Sequence, residues 1–318
     1  MIETARSDPS LSALVEEFFR NSFTTDNPLI TEAIRRMLAA GGKRIRPRIA
    51  LLCAEANGAL PQAHLELAAY LELIHVATLI HDDVVDNAVI RRGVNATAVD
   101  YGNRISVLAG DYLFAWIFKN VTARYAHPIP NILSATLAQI CDGEVLQLRS
   151  LGNLDLQLGA YVEIVMKKTA SLFAAAAECG AILGSASACR RKALRDFGLY
   201  YGIAFQMKDD LLDVTANAQM LGKPACNDLR ERKVTIPLLL ALKHADAPFR
   251  ATVERFYAGD GDATVSALVT GIDTFGGIEG TRSEIARYAD RARLSLAPVQ
   301  ESRAKAQLQH LAAALLEE

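Results

Sequence analysis

Apolar residues recur at three- and four-residue steps along most of the chain, the period of a helix buried along one face. Between positions 61 and 86, Leu65, Ala68, Ala69, Leu73, Val76 and Ile80 fall on one stripe. The same spacing predicts helices over 29–40, 105–125, 130–149, 156–183, 190–214, 234–243, 278–296 and 303–316. Local signals agree: Asp8-Pro9 opens a first segment, Pro61 opens the long one, and Gly41-Gly42 stops the 29–40 helix. No stretch reads as an alternating strand bounded by hairpin turns. The connections are short, without a Pro/Gly/Ser-rich linker or an internal repeat. The expectation is one all-α domain over residues 1–318.

Composition narrows the setting. Of 318 residues, 51% are hydrophobic and 22% charged, enough apolar surface for a large core. A formal net charge of -2 supplies no basic field for nucleic acid. The five cysteines are odd in number and form no C-x-x-C pair, which argues against a disulfide framework or a zinc site and for a reducing cytoplasm. The N-terminus lacks a basic-then-apolar leader pattern. The longest apolar runs are interrupted by Glu72, His75 or Glu178, so no transmembrane segment is expected. Peripheral contact with a membrane surface stays open.

Two acidic clusters carry the chemistry: His81-Asp82-Asp83-Val84-Val85-Asp86 and Gln206-Met207-Lys208-Asp209-Asp210-Leu211-Leu212-Asp213. Each is a D-D-x-x-D arrangement late in a predicted helix. Residues four apart share a helix face, so Asp82 aligns with Asp86 and Asp209 with Asp213. Like charges at that spacing repel, and carboxylates near a helix C-terminus oppose the macrodipole. Doing this twice costs stability unless a cation compensates. Hard oxygen ligands suit magnesium, which keeps waters and is shared with substrate phosphates. A complementary basic set comprises Lys43-Arg44-Ile45-Arg46, Arg91-Arg92-Gly93, Lys167-Lys168-Thr169, Lys223 and Lys233. Beside two metal clusters these groups describe sites for two anionic substrates.

Ordered motifs then resemble the trans-isoprenyl diphosphate synthase (polyprenyl synthetase) family. They run from Gly41-Gly42-Lys43-Arg44-Ile45-Arg46-Pro47 through the first acidic cluster, Arg91-Arg92-Gly93 and Ala109-Gly110-Asp111. Gly143-Glu144-Val145-Leu146-Gln147-Leu148, Lys168-Thr169-Ala170 and Phe205-Gln206-Met207-Lys208-Asp209-Asp210 follow, ending at Lys233-Val234-Thr235-Ile236-Pro237. The resemblance implies long helices around a central cavity (an isoprenoid synthase fold), usually as a homodimer. It implies Asp82, Asp86 and Asp209 as principal magnesium ligands, with Asp83, Asp210 and Asp213 supporting, around roughly three ions once substrate is bound. Arg91, Lys168, Thr169, Gln206, Lys223 and Lys233 would hold an allylic diphosphate. Lys43, Arg46, His75 and Arg92 would hold isopentenyl diphosphate. The aspartates and Lys168 would stabilise the departing diphosphate, so that the allylic C–O bond ionises and the isopentenyl double bond attacks the cation.

Two positions depart from the pattern: Cys226 and Arg232 stand where relatives commonly carry glycine. The chain also ends in Glu317-Glu318 rather than in basic residues. Ala77 and Thr78, one turn before Asp82, are small where short-chain relatives commonly carry a bulky aromatic. The resemblance therefore points to a long product, about C30–C50, as in octaprenyl-type enzymes. If Ala77 serves only close helix packing, the floor lies deeper, with Trp116 and Phe118 as candidates. The competing readings are a short-chain farnesyl or geranylgeranyl synthase, a class I terpene cyclase, and an accessory subunit of a heteromeric synthase. The intact second acidic motif and the isopentenyl-binding set argue against the cyclase, and retention of both acidic motifs argues against the accessory subunit.

Overall fold

A computed structural model describes residues 14–19, 23, 25–215, 226–260 and 264–317. The segment opened by Asp8-Pro9 and the candidate ligand Lys223 lie outside them. The fold is all-α. Its helices are α1 (Pro28–Ala39), α2 (Ile45–Glu55), α3 (Leu65–Val85), α4 (Thr97–Arg124), α5 (Ile129–Arg149), α6 (Leu158–Val165) and α7 (Ser171–Leu183). These are followed by α8 (Ala188–Thr215), α9 (Asn227–Arg230), α10 (Ile236–Leu242), α11 (Ala247–Ala258), α12 (Val265–Thr274), α13 (Gly277–Ser295) and α14 (Arg303–Ala313). The chain forms two compact units, each assembled from separated segments: residues 1–133, 175–194 and 299–306, and residues 134–174, 195–298 and 307–318.

In the first unit α3 is the central element, packed against α2 and α4. Its Leu67–Leu71 and Leu73–Ile74 positions are buried nearly all round, as a core helix requires. A 3-10 turn, Pro61–His64, precedes it, and the two together (Gln62–Val85) are long and apolar enough to cross a membrane by length and composition alone. Most of that window is buried inside the protein, and it carries Glu72, His75 and the first acidic cluster. Helix α1 starts as its sequence dictates: the Asn27 side chain accepts from the Leu29 and Ile30 amides, and Pro28 occupies the first turn.

Four features differ from the sequence expectation. Helix α2 was not anticipated because Ile49–Ala54 is buried without interruption and shows no amphipathic period. Helices α11 and α12, capped by Asp246 and Thr264, are short and were likewise missed. The stretch 87–93, in which no strand is expected, contains half of a two-stranded hairpin, β1 (Ile90–Arg91) and β2 (Val94–Asn95), paired Ile90 to Asn95 and Arg91 to Val94. Both turn residues, Arg92 and Gly93, have positive φ (51° and 78°), as a two-residue type I′ turn demands. Finally, the predicted 156–183 helix is interrupted by a π-helical turn, Met166–Ala170, between α6 and α7.

In the second unit α8 lies against this π turn along one four-residue-spaced stripe. A Cβ on Gly198 would sit 2.4 Å from the Phe173 carbonyl oxygen, and one on Gly202 would sit 2.6 Å from Ala170 Cα. Glycine is required for that approach, which continues along the stripe to Gln206 and Asp210. In the first unit Gly180 of α7 meets α2 in the same way, its missing Cβ falling 2.1 Å from the Ala50 carbonyl oxygen. Gly180→Ala is therefore expected to lower stability by about 1–3 kcal/mol through overpacking. Gly159, near the start of α6 with nothing within 4 Å, should tolerate alanine and gain up to about 1 kcal/mol in helix propensity. Chemical denaturation of the two variants checks the contrast.

Candidate active site

Helix α3 delivers the first acidic cluster at its C-terminus, with Asp86 as the capping residue whose amide donates to the Asp82 carbonyl (2.8 Å). Exposure separates the three carboxylates: Asp82 and Asp86 are half-buried, whereas Asp83 is fully buried. The hairpin accounts for Asp83. Arg91 donates to its Oδ1 from Nε at 2.7 Å and from Nη2 at 2.5 Å. Burial pushes the Asp83 carboxyl up, and Arg91 opposes the rise. Burial would lower the Arg91 guanidinium, but Asp83, Asp82 and Asp86 together raise it.

The turn aims the adjacent Arg92 elsewhere: its Nη1 donates to the Gly41 carbonyl. Two neighbouring arginines thus serve different partners because the strand ends between them. The 41–46 segment is anchored by Arg44, a residue with φ 47° at the start of α2. Buried among the core residues, it donates to Glu72 Oε1 (3.1 Å), Glu16 Oε1 (2.7 Å) and the Leu38 carbonyl (3.1 Å). Removing one partner of such a buried pair costs on the order of 3–5 kcal/mol, so Arg44 and Glu72 are structural supports for the basic segment. Lys43 beside it is exposed and Arg46 half-buried. His75, one turn past Glu72 on α3, is held well below the ordinary imidazole value, first by burial and then by Arg46, Arg92, Arg91 and Arg44. It is neutral at pH 7. The structure thus brings His75 into one positive field with Arg46 and Arg92.

Along α3 the half-buried positions His75, Thr78, Leu79, Asp82 and Asp86 form one stripe. Thr78 belongs to it, its hydroxyl donating to the His75 carbonyl (2.8 Å). Ala77 does not: it is fully buried on the opposite, packed face. The chain-length position expected at Ala77 thus lies on the buried side of α3, and the one expected at Thr78 on its half-buried side. Trp116, named as a deeper floor, stands edge-on to Tyr70 (5.8 Å) and Phe23 (5.4 Å), while Phe118 is half-buried.

In the second unit the same division recurs. Asp209 is exposed, whereas Asp210 and Asp213 are buried. Asp210 receives the Tyr161 hydroxyl at Oδ2 (2.6 Å) and Gln206 Nε2 at Oδ1 (2.8 Å). Gln206 Oε1 in turn accepts from the Thr169 hydroxyl (2.9 Å). Asp213 Oδ2 accepts from the Asp228 amide (3.1 Å), and its carbonyl from the Cys226 amide (2.8 Å). Burial pushes the Asp210 carboxyl up to about 6; the Tyr161 and Gln206 hydrogen bonds oppose the rise, and the charges of Asp209 and Asp213 add to it. Lys168, in the π turn, pairs with Glu144, and Gly143 lets the two segments meet: a Cβ there would lie 2.4 Å from the Lys168 nitrogen. Lys233 pairs with Glu231 (2.6 Å). Cys226 and Arg232, the two positions that depart from glycine, both adopt left-handed backbone (φ 57° and 60°), so the loop geometry that favours glycine is kept at a cost of about 1–2 kcal/mol each.

Sequence reasoning missed the supporting roles of Arg44, which it counted among the anion-binding groups, and of Glu72, Glu144 and Tyr161. Only Arg44 and Glu144 had a signal, since both lie inside motifs already recognised. Among the described residues, no three His, Cys, Asp or Glu side chains by themselves enclose a metal ion. Accessible carboxylates at Asp82, Asp86 and Asp209, without a complete cage, match a cation that fills its remaining positions with water and phosphate oxygens.

Two aspartate-rich helix ends, one clamped by Arg91 and the other by Tyr161 and Gln206, define the class of helical protein to which the chain compares. The polyprenyl synthetase family model matches residues 27–270. The octaprenyl diphosphate synthase of Escherichia coli (strain K12) is 38% identical over 291 residues, covering 91% of this chain and 88% of that protein. A short chain isoprenyl diphosphate synthase of Methanothermobacter thermautotrophicus is 34% identical over 311 residues, 96% of each chain. A polyprenyl synthase from Caulobacter crescentus CB15, solved with calcium and isoprenyl diphosphate, superposes with a TM-score of 0.92 at 36% identity, covering 98% and 95% of the two chains. The chain belongs to the polyprenyl synthetase family.

The burial of Asp210 has a measurable consequence in the metal-free protein. Its folded-state value lies above that of the unfolded chain, so the native state binds the extra proton and the charged form is the destabilised one. Wild-type stability relative to Asp210→Asn should therefore fall as pH rises from about 4 to about 6. Urea denaturation of both proteins with chelator checks the sign; a flat or rising difference would contradict it.

Proposed function

We propose that the protein is a trans-prenyltransferase that condenses isopentenyl diphosphate with an allylic diphosphate and repeats the step to a long-chain polyprenyl diphosphate. The observation that carries this reading is the repeated D-D-x-x-D cluster. In each, a buried carboxylate is tied to a fixed donor, Arg91 or Tyr161, while Asp82 and Asp86, or Asp209, stay accessible. The family membership supports the reaction type, and the Escherichia coli relative supports long chains.

Magnesium, when bound, neutralises diphosphate charge and stabilises the leaving group. Asp82, Asp86 and Asp209 would hold it, with Asp83, Asp210 and Asp213 supporting from behind. Arg91, Lys168, Thr169, Gln206, Lys233 and Lys223 orient the allylic diphosphate. Lys43, Arg46 and Arg92 bind the second diphosphate as cations, and His75 joins them as a neutral donor. Ionisation of the allylic C–O bond leaves a delocalised cation, and the isopentenyl double bond, held nearby, closes the new C–C bond. The proton then leaves to the released diphosphate. Residues 1–318 would act as one catalytic domain.

Length control falls to Thr78, which shares the half-buried stripe with Asp82, and to Ala77 beside it; the small side chains leave room for a growing chain. The short-chain relative from Methanothermobacter favours a second reading, termination at roughly C15–C20, in which the path closes sooner. Homodimerisation through α4 is the proposed assembly: Val107, Leu108 and Tyr112 stand exposed on it at 39%, 54% and 37%, more apolar surface than an isolated helix face needs. All five cysteines are free thiols, which suits a cytoplasmic enzyme.

With magnesium, isopentenyl diphosphate and farnesyl diphosphate, the purified chain should yield products of about C30–C50, and excess chelator should stop turnover. Thr78→Tyr should shorten the product without ending condensation, because overfilling the path blocks elongation and leaves ionisation intact. Mass analysis of the products decides. A wild-type product of roughly C15–C20 would overturn the long-chain reading, and full turnover in chelator would overturn the mechanism.

A further inference from the structure

Tyr161 stands two helical turns before Thr169, on α6, where the other buried residues, Ile164 and Val165, are plain core. Its ring is buried, yet its hydroxyl is committed to a single acceptor, Asp210 Oδ2, at 2.6 Å. The phenol stays protonated, since burial and the neighbouring aspartates raise it well above its ordinary value. It can therefore only donate to this carboxylate.

The partners of Asp210 set the direction of every bond in the chain. An ionised carboxylate accepts and never donates. Gln206 must then present Nε2 to Asp210 Oδ1, which leaves its Oε1 to accept from the Thr169 hydroxyl. A flipped amide would put oxygen against oxygen. Thr169, Gln206, Asp210 and Tyr161 thus form one relay with one polarity, and Tyr161 is the donor that closes its buried end. Both Asp210 oxygens are occupied, so its carboxylate is fixed inward, while Asp209, the next residue round the helix, is exposed.

We infer that Tyr161 is a positioning residue for the second acidic cluster: by holding Asp210 inward it fixes the turn of α8 that presents Asp209 to a divalent cation, and through Gln206 it orients Thr169 toward the allylic diphosphate. This rests on the proposed prenyltransferase reading and goes beyond it, because nothing in the ligand set calls for a tyrosine on α6. Tyr161→Phe keeps the ring and removes only the hydroxyl. Asp210 Oδ2 then loses its buried donor, and the carboxylate is left to rotate outward or take up a proton.

The test is manganese binding, followed by electron paramagnetic resonance on the full-length protein with farnesyl thiolodiphosphate, whose C–S bond resists ionisation. Tyr161→Phe should weaken manganese affinity roughly tenfold, the usual effect of losing a hydrogen bond behind a metal ligand. The KM for the allylic substrate should rise and the KM for isopentenyl diphosphate should not. Circular dichroism melting identifies a variant that fails to fold; in that case Tyr161→Trp, which restores an N–H donor, should recover manganese binding if the hydrogen bond is what counts. Wild-type manganese affinity in a folded Tyr161→Phe, or an equal rise in both KM values, would overturn the inference. Asp209→Ala in the same titration keeps the two ideas apart. If it too binds manganese normally, the metal role of the second cluster fails; if it loses binding while Tyr161→Phe does not, only the role of Tyr161 fails.

Discussion

A carboxylate taken out of water must find fixed donors or become neutral, and two such carboxylates, Asp83 and Asp210, govern how this protein is put together. Each sits in the middle of a D-D-x-x-D cluster, and each is answered by a different device. Asp83 is met by a guanidinium carried on a hairpin only two residues long per strand. Asp210 is met by a phenol on α6 and an amide on α8. Because the inner carboxylate is pinned, Asp82 and Asp86 in the first cluster and Asp209 in the second are left accessible, and the like-charge repulsion at the helix end is left for a cation to relieve.

The supporting architecture follows from these two clamps. In the first unit the hairpin splits Arg91 from Arg92, so that one neutralises Asp83 while the other reaches the Gly41 carbonyl beside the basic segment. Arg44 and Glu72 then hold that segment from beneath, and burial, joined by the surrounding positive field, keeps His75 uncharged. In the second unit the absent side chains of Gly198 and Gly202 let α8 approach the π turn closely enough for Gln206 to bridge Thr169 and Asp210. Close packing and polar satisfaction are the same event here: without the glycines the relay would not reach.

Much of this was legible in the chain. The long helices carry a clear 3.6-residue period, and both acidic clusters stood out because charge at the end of an apolar helix has no structural use of its own. What stayed hidden had physical reasons. Helix α2 is buried on every side over Ile49–Ala54, so no polar face marks its period there. A two-residue strand is too short to alternate, so the hairpin that explains Asp83 gave no strand pattern. A tyrosine in an apolar helix reads as core, and Tyr161 is core except for one oxygen. The distinction between Thr78 and Ala77 was likewise invisible, because adjacent small residues look alike until the helix is seated and one of them proves fully buried.

The account stands on the division between pinned and open carboxylates, and a crystal grown with manganese and farnesyl thiolodiphosphate, with the metal located by its anomalous scattering, tests that division directly. The expected map places manganese against Asp82, Asp86 and Asp209, with Arg91 still on Asp83 and Tyr161 still on Asp210. Manganese bonded to Asp83 or Asp210, with Arg91 or Tyr161 displaced, would contradict it.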